Sequence, residues 1–257
     1  MRRTAPPCLT RRQSLAAGVA GVTGVWWPAA PAQTETPGVL TADVIDIPPW
    51  GRRGPDGAPA GVYADLMRLL AERSHCAMQL RVVPILRSIV DVGHNDSQLT
   101  MMLDRKDMND AGLLIGTVTQ LPVQLWLPAG STVRQLEQLR GRTVAVLRGP
   151  TYHEGVQNDT RIQKYPVSSP RQQLEMLRTG RVDAALGVEQ NFQVAARALR
   201  LGPDHFAPPL VLGSRDVRLW LTPALAQHPC RERIAQALQS LRADGSIARR
   251  MAEATAD

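Results

Sequence analysis

Residues 142–191 alternate strand and helix signals with glycine stops, and that alternation leaves few folds open. "TVAVLRG" has the composition of a buried strand. A helix begins near Tyr152, and "IQKYPV" is the next strand. Ser169-Pro170 opens a second helix, with serine at the cap and proline in the first turn. Leu174 and Leu177 face inward on it, and Gly180 ends it. "VDAALG" is the third strand. Such β-α-β-α-β units join parallel strands through right-handed crossovers, which predicts an α/β fold. The third strand runs straight into Glu189, Gln190 and Asn191. The C-terminal ends of parallel strands open into ligand clefts, so this cluster marks a candidate site.

The rest of the chain extends the pattern. Residues 39–47 read as a strand that Pro48-Pro49-Trp50-Gly51 stops, and 51–61 as a turn-rich loop. Val62, Leu66, Leu69 and Leu70 give an amphipathic helix; Met78, Leu80 and Val82 alternate as a strand ended by Pro84; a short helix stops at Gly93. Residues 99–103 and 113–115 are short apolar runs, and 123–127 is a strand. Ser131 caps an expected helix through Val133, Leu136 and Leu139 to Gly141. A strand at 216–222 precedes a helix with Ile234, Leu238 and Leu241 on one face. The whole reads as two α/β lobes, each of ordinary domain size.

The start of the chain is different. Arg2, Arg3, Arg11 and Arg12 come without an acid, 15–27 is apolar or small apart from Thr23, and Ala30-Pro31-Ala32 fits a cleavage site. Residues 1–32 therefore read as a secretory signal peptide, too short in its apolar part to span a bilayer, with 33–38 as a linker. "TRRQSL" resembles a twin-arginine motif, but Ser14 replaces its usual large apolar residue, so the Sec and twin-arginine routes both stay open. The expected location is the periplasm. Cleavage lowers the net charge from +7 to +3, which gives no argument for nucleic-acid binding. Cys8 leaves with the signal, while Cys76 and Cys230 remain in a compartment where disulfides persist. His75, His94, His153, His205 and His228 show no metal-ligand spacing, and neither G-x-S-x-G nor a phosphate loop occurs. No metal or cofactor is expected.

Three stretches carry a resemblance: "GAPAGVYADLMRLLAE" (57–72), "LEQLRGRTVAVLRGPTYHE" (136–154) and "LRTGRVDAALG" (177–187). In order and spacing they resemble family 3 of the extracellular solute-binding proteins, the type serving polar amino-acid ABC transporters. The resemblance implies a type II periplasmic-binding-protein-like fold, with two lobes joined by two crossing strands. Lobe 1 would be 39–125 plus 215–257 and lobe 2 would be 126–214, closing on the ligand by hinge bending. It also implies a monomer, a small polar solute and the transmembrane subunits of an ABC permease as partners.

The resemblance suggests site residues one by one. Arg105, after "LTMMLD", matches an arginine that clamps the ligand carboxylate; the alternative is a solvated arginine in "DRKD". Thr151 and Tyr152 lie at a strand-to-helix turn suited to a carboxylate, though Thr151 also serves as a plain helix cap. The acid that holds a ligand ammonium falls at Val188 or Glu189; Glu189 is alternatively a solvated helix-start residue. Trp50 matches an aromatic that stacks on ligand, or else plugs the lobe edge. Arg87, read as lying on the loop after Pro84, is a further cleft candidate. Trp126 and Trp220 read as core. Both Cys76 and Cys230 fall in lobe 1 and make a disulfide pair if their Cα atoms approach within about 7 Å, the alternative being two buried thiols. Two other functions stay open: a cyclohexadienyl dehydratase with Glu189 as general acid, and a sensor or accessory protein that binds a partner, which an apolar cleft would favour.

Overall fold

In the computed structural model the described residues are 38–253; the expected signal peptide, its export motif, Cys8 and most of the linker lie outside them. The first half contains strand β1 (Leu40–Ile45), a small hairpin of β2 (Arg52–Arg53) and β3 (Pro59–Ala60), helix α1 (Val62–Ser74), β4 (Met78–Val83), α2 (Ile85–Gly93), β5 (Leu99–Leu103) and α3 (Lys106–Ala111). Then follow β6 (Leu113–Pro128), β7 (Thr143–Leu147), α4 (Glu154–Gln157), β8 (Gln163–Val167), α5 (Pro170–Arg178), β9 (Ala184–Val188), α6 (Glu189–Ala198), β10 (Phe206–Leu221), α7 (Pro229–Ala243) and α8 (Ser246–Glu253).

One mixed sheet runs β4-β1-β5-β10-β6-β9-β7-β8. Its middle is the antiparallel pair β6 and β10, each 16 residues long. The C-terminal part of β10 carries β5, with Leu221 opposite Leu99, and hence β1 and β4. The C-terminal part of β6 carries β9, with Val123 opposite Val188, and through it parallel β7 and β8. The result is a two-lobed α/β fold with two crossing strands, as the sequence led us to expect. The expected lobe borders at 125/126 and 214/215 fall inside those two strands.

Local chemistry explains where the elements differ from the sequence reading. The runs 113–115 and 123–127 are one strand; the segment between them is mostly half-exposed and buries Val118 and Leu121. Pro122 hides this continuity, yet it sits opposite Ser214 beside an irregular step in the ladder, where a missing N–H is tolerated. The helix expected from Ser131 shrinks to a 3-10 turn at Leu136–Leu139. Gln138 Oε1 accepts the backbone N–H groups of Arg134 and Gln135 at 2.6 and 3.1 Å, closing that turn before a longer helix can form. Likewise α4 starts at Glu154, because Gln157 Oε1 accepts from the backbone N–H groups of Tyr152 and His153 at 2.6 and 3.1 Å.

Lobe 1 is pinned in two places. Asp43, fully buried in β1, takes the Arg81 fork at 3.0 and 2.8 Å, and Arg81 also reaches Asp91 of α2 at 2.9 Å. This fixes α2 to the sheet and with it Ile85, the residue α2 presents to the other lobe. Cys76, just past α1, is bonded to Cys230 at the start of α7, with Cα atoms 6.0 Å apart. Trp220 is fully buried on β10, while Trp126 on β6 is only half-buried. Among the described residues no helix is long and apolar enough to cross a membrane.

The disulfide closes a sequence separation of 154 residues. Replacing both cysteines by alanine should therefore lower stability by about 3–5 kcal/mol in denaturant titrations. Thiol titration of the denatured, unreduced chain lacking residues 1–32 should find no free thiol; two would contradict the bond.

Candidate ligand cleft

From lobe 1, the chain leaving β1 turns back on itself: the N–H groups of Trp50 and Gly51 both donate to the Ile47 carbonyl, at 2.8 and 3.1 Å. The first turn of α1 holds that loop, with the N–H groups of Val62 and Tyr63 donating to the carbonyls of Pro49 and Trp50. Gly61 makes this possible. Its φ is +101°, and a Cβ there would lie 2.7 Å from the Pro49 carbonyl oxygen. Trp50 is thereby fixed with its indole stacked on Tyr63, ring centroids 5.4 Å apart. Both rings are buried.

Lobe 2 meets them with the turn after β7 and the start of α6. Trp50 Nε1–H donates to Asn191 Oδ1 at 2.6 Å, a buried hydrogen bond that crosses between the lobes. Asn191 also hydrogen-bonds the Tyr152 side chain. Gly149, at φ +106°, lets the turn pass Ile85; a Cβ there would sit 2.6 Å from Ile85 Cγ2. A cavity of about 20 Å³ lies between the lobes, lined by Ile45, Trp50, Tyr63, Ile85, Tyr152 and Val188, with Asn191 at its polar edge. That is room for about one water molecule.

Arg105 lies at the rim, and it is not the solvated arginine that "DRKD" allows: its side chain is only 11% exposed. Nε and Nη2 grip the Asp107 carboxylate, Nη2 at 2.6 Å, while Nη1 donates to the Gly149 carbonyl of lobe 2 at 2.8 Å. The guanidinium holds the Asp107 carboxyl below its usual range. Thr151 is half-buried in the turn between β7 and α4, next to Tyr152. Glu189 is the first residue of α6 and accepts from Gln193 Nε2 at 3.0 Å; the residue that faces the cavity is Val188. Arg87 needs correcting: it lies on α2, not on a loop, because the helix starts directly after Pro84. Its i, i+4 spacing pairs it with Asp91, and it also lies 3.8 Å from Asp96, with 60% of the side chain exposed.

The structure thus brings Trp50, Tyr152, Thr151 and Arg105 to the junction and leaves Arg87 outside it. Three contributors escaped the sequence reading, and a fourth, Asn191, was marked only as part of its cluster. Tyr63 lies outside the apolar stripe read on its helix, and Ile85 falls on the stretch after Pro84 that reads as a loop. Asn191 stood in the polar cluster after β9, three residues past Val188, where one helical turn returns a side chain to the same face. Asp107 stood two residues from Arg105 with nothing in sequence to show that it folds back. Among the described residues no group of three or more His, Cys, Asp or Glu could hold a metal.

No protein-family model matches the chain, and no curated protein sequence does. Solved structures do match. A histidine kinase sensor domain with similarity to periplasmic binding proteins superposes with a TM-score of 0.71 at 20% identity, covering 84% of this chain and 94% of that one. An ancestral arginine-binding protein bound to arginine gives 0.70 at 16%, over 85% and 98%. The GluR0 ligand-binding core from Nostoc punctiforme, in complex with L-glutamate, gives 0.67 at 18%, over 82% and 96%. The architecture is therefore the two-lobed periplasmic-binding-protein-like fold.

Burial raises the phenol of Tyr63 above its ordinary 10.0, and nearby Tyr152 adds to the effect. Burial also raises that of Tyr152 above 10.0, with Asn191 offsetting part of the rise. An unfolded tyrosine ionises near pH 10 and the folded pair resists, so their contribution is complete below that pH and is lost above it. Each can remove up to about 1.4 kcal/mol of stability per pH unit. Denaturant titrations between pH 10 and about 11.5 should show a flatter decline for the Tyr63→Phe, Tyr152→Phe double variant. Identical slopes would mean that these phenols are not protected by the closed cleft.

Proposed function

We propose that the protein is a periplasmic solute-binding protein without catalytic activity, and that its solute is a small carboxylate with an apolar body, delivered to an ABC permease. The observation that carries this reading is Arg105: a sheltered guanidinium at the lobe junction, its fork already shaped around a carboxylate, that of Asp107. A solute carboxylate would take the place of Asp107, with Thr151 beside it. Trp50, Tyr63 and Ile85 would pack on the body. Val188 gives no counter-charge, so an α-ammonium group there would be buried unpaired at high cost. This favours a solute without one. Similarity to binding proteins whose structures hold arginine or L-glutamate supports solute capture in general.

A second reading, a sensor or accessory protein, is favoured by a different observation. The junction is already filled by the protein's own side chains, down to about 20 Å³. Similarity to a histidine kinase sensor domain points the same way. The dehydratase reading has the least support, because none of the described residues lining the cavity is a carboxylic acid.

Calorimetry with small aliphatic and aromatic carboxylates, each beside its neutral amide, separates these readings. Arg105→Ala should weaken carboxylate binding about tenfold or more, the loss of a charge-assisted bond worth roughly 1.5–3 kcal/mol. Asp107→Asn should strengthen it several-fold by removing the internal competitor. Equal affinity for acid and amide would end the proposal, as would weaker binding in Asp107→Asn; no binding of any acid would leave the sensor reading.

A further inference from the structure

A roomy concavity of lobe 2 lies away from the junction. It measures about 670 Å³, against about 20 Å³ between the lobes, and small-molecule pockets usually span about 300–1,000 Å³. Its walls are α6, the turn after it, the first residues of β10, and Trp126 of β6.

A defect in the central ladder opens it. Ala207 pairs with Leu127 and Leu210 with Leu125, so β10 spends two residues, Pro208 and Pro209, opposite the single residue Trp126. This is a β-bulge, and bulges re-aim side chains and end local pairing. The two prolines bring no N–H to the wall. The indole N–H is also spent, since Trp126 Nε1 donates to Gln124 Oε1 at 2.9 Å. What remains is aromatic and aliphatic surface: the half-buried Trp126, with Phe206 edge-on at 4.7 Å, and around them Leu201 and Ala196. The polar groups are few. Gln193 gives its amide to Glu189 at 3.0 Å. Arg197 also lies in the wall, and among the described residues lining the pocket none is acidic.

We propose that this pocket is a second ligand site, for a small aromatic molecule without positive charge. A flat ring finds π surface and proline faces there, with little polar surface to desolvate. A cation would meet no acidic side chain among the described residues of the wall. The site is independent of the junction and does not rest on Arg105 or on the reading of the cleft.

The test follows the indole N–H resonances of Trp50, Trp126 and Trp220 by NMR in ¹⁵N-labelled protein lacking residues 1–32, titrated with 2-naphthol. Trp126 should shift saturably, with a Kd below about 1 mM, while Trp50 and Trp220 stay in place. The cation 2-naphthylmethylamine should bind at least about tenfold more weakly. Ala196→Trp should fill the pocket and abolish the shift; should that variant fail to fold, Gln193→Trp fills it from its more exposed edge. An unsaturable Trp126 shift, a response at Trp50 in its place, equal binding of the amine, or binding undiminished in a folded filling variant would each overturn the proposal.

Discussion

Strands β6 and β10 pair along almost their whole length, and every other strand of the large sheet reaches the rest through them. Their antiparallel hydrogen bonds join the two halves of the sheet. They are also where the ladder is irregular, with shifts between Ala207 and Leu210 and between Val211 and Ser214. Gly213, at φ +105°, lies in the second of these. A bent, partly unpaired stretch is where a two-strand connection can absorb a change in backbone angles with least loss of pairing. The same strands therefore join the lobes and give them a place to flex.

Among the described residues, contacts of three kinds join the lobes at the junction. Trp50 donates to Asn191, Arg105 to the Gly149 carbonyl, and Ile85 lies against Gly149. One neutral and one charge-assisted hydrogen bond amount to roughly 2–4 kcal/mol. A closure of that size sets a cost for any solute that must enter. At about 3 kcal/mol, fewer than one molecule in a hundred is open, and observed affinity falls by about a hundredfold or more from its intrinsic value. A solute of the kind proposed would offset this by taking over the groups that closure uses. Arg105 and the Trp50–Asn191 pair are the groups with most to give.

The β-α-β-α-β alternation and its glycine stops were legible because each signal is local: a cap, a period, a turn residue. The crossing strands were only half legible. Pro122 and Gly116 interrupt β6 in sequence, yet partner strands on both sides supply what local propensity lacks. At the site, Trp50 and Tyr152 could be read from their places at strand ends. The Val188 or Glu189 ambiguity could not be settled by counting, since one residue decides which side chain enters the cavity and which begins the helix. Asp107 was opaque for another reason. Whether an acid two positions from an arginine folds back on it or faces solvent depends on Gly149, 42 positions further on, whose carbonyl holds the guanidinium in place. The Cys76–Cys230 pairing became plausible once both ends fell in one lobe, and the packing of α1 and α7 supplies the geometry.

If Arg105 and Asn191 hold the lobes closed, losing both contacts should let the lobes open by flexing at the crossing strands. Spin labels at the exposed positions Asp56 in lobe 1 and Thr160 in lobe 2 would measure this directly as a distance distribution. The account predicts one narrow distance in the otherwise unaltered protein, and a longer, broader one when Arg105→Ala and Asn191→Ala are combined. A distribution that stays the same in the combined variant, with the fold intact, would contradict it.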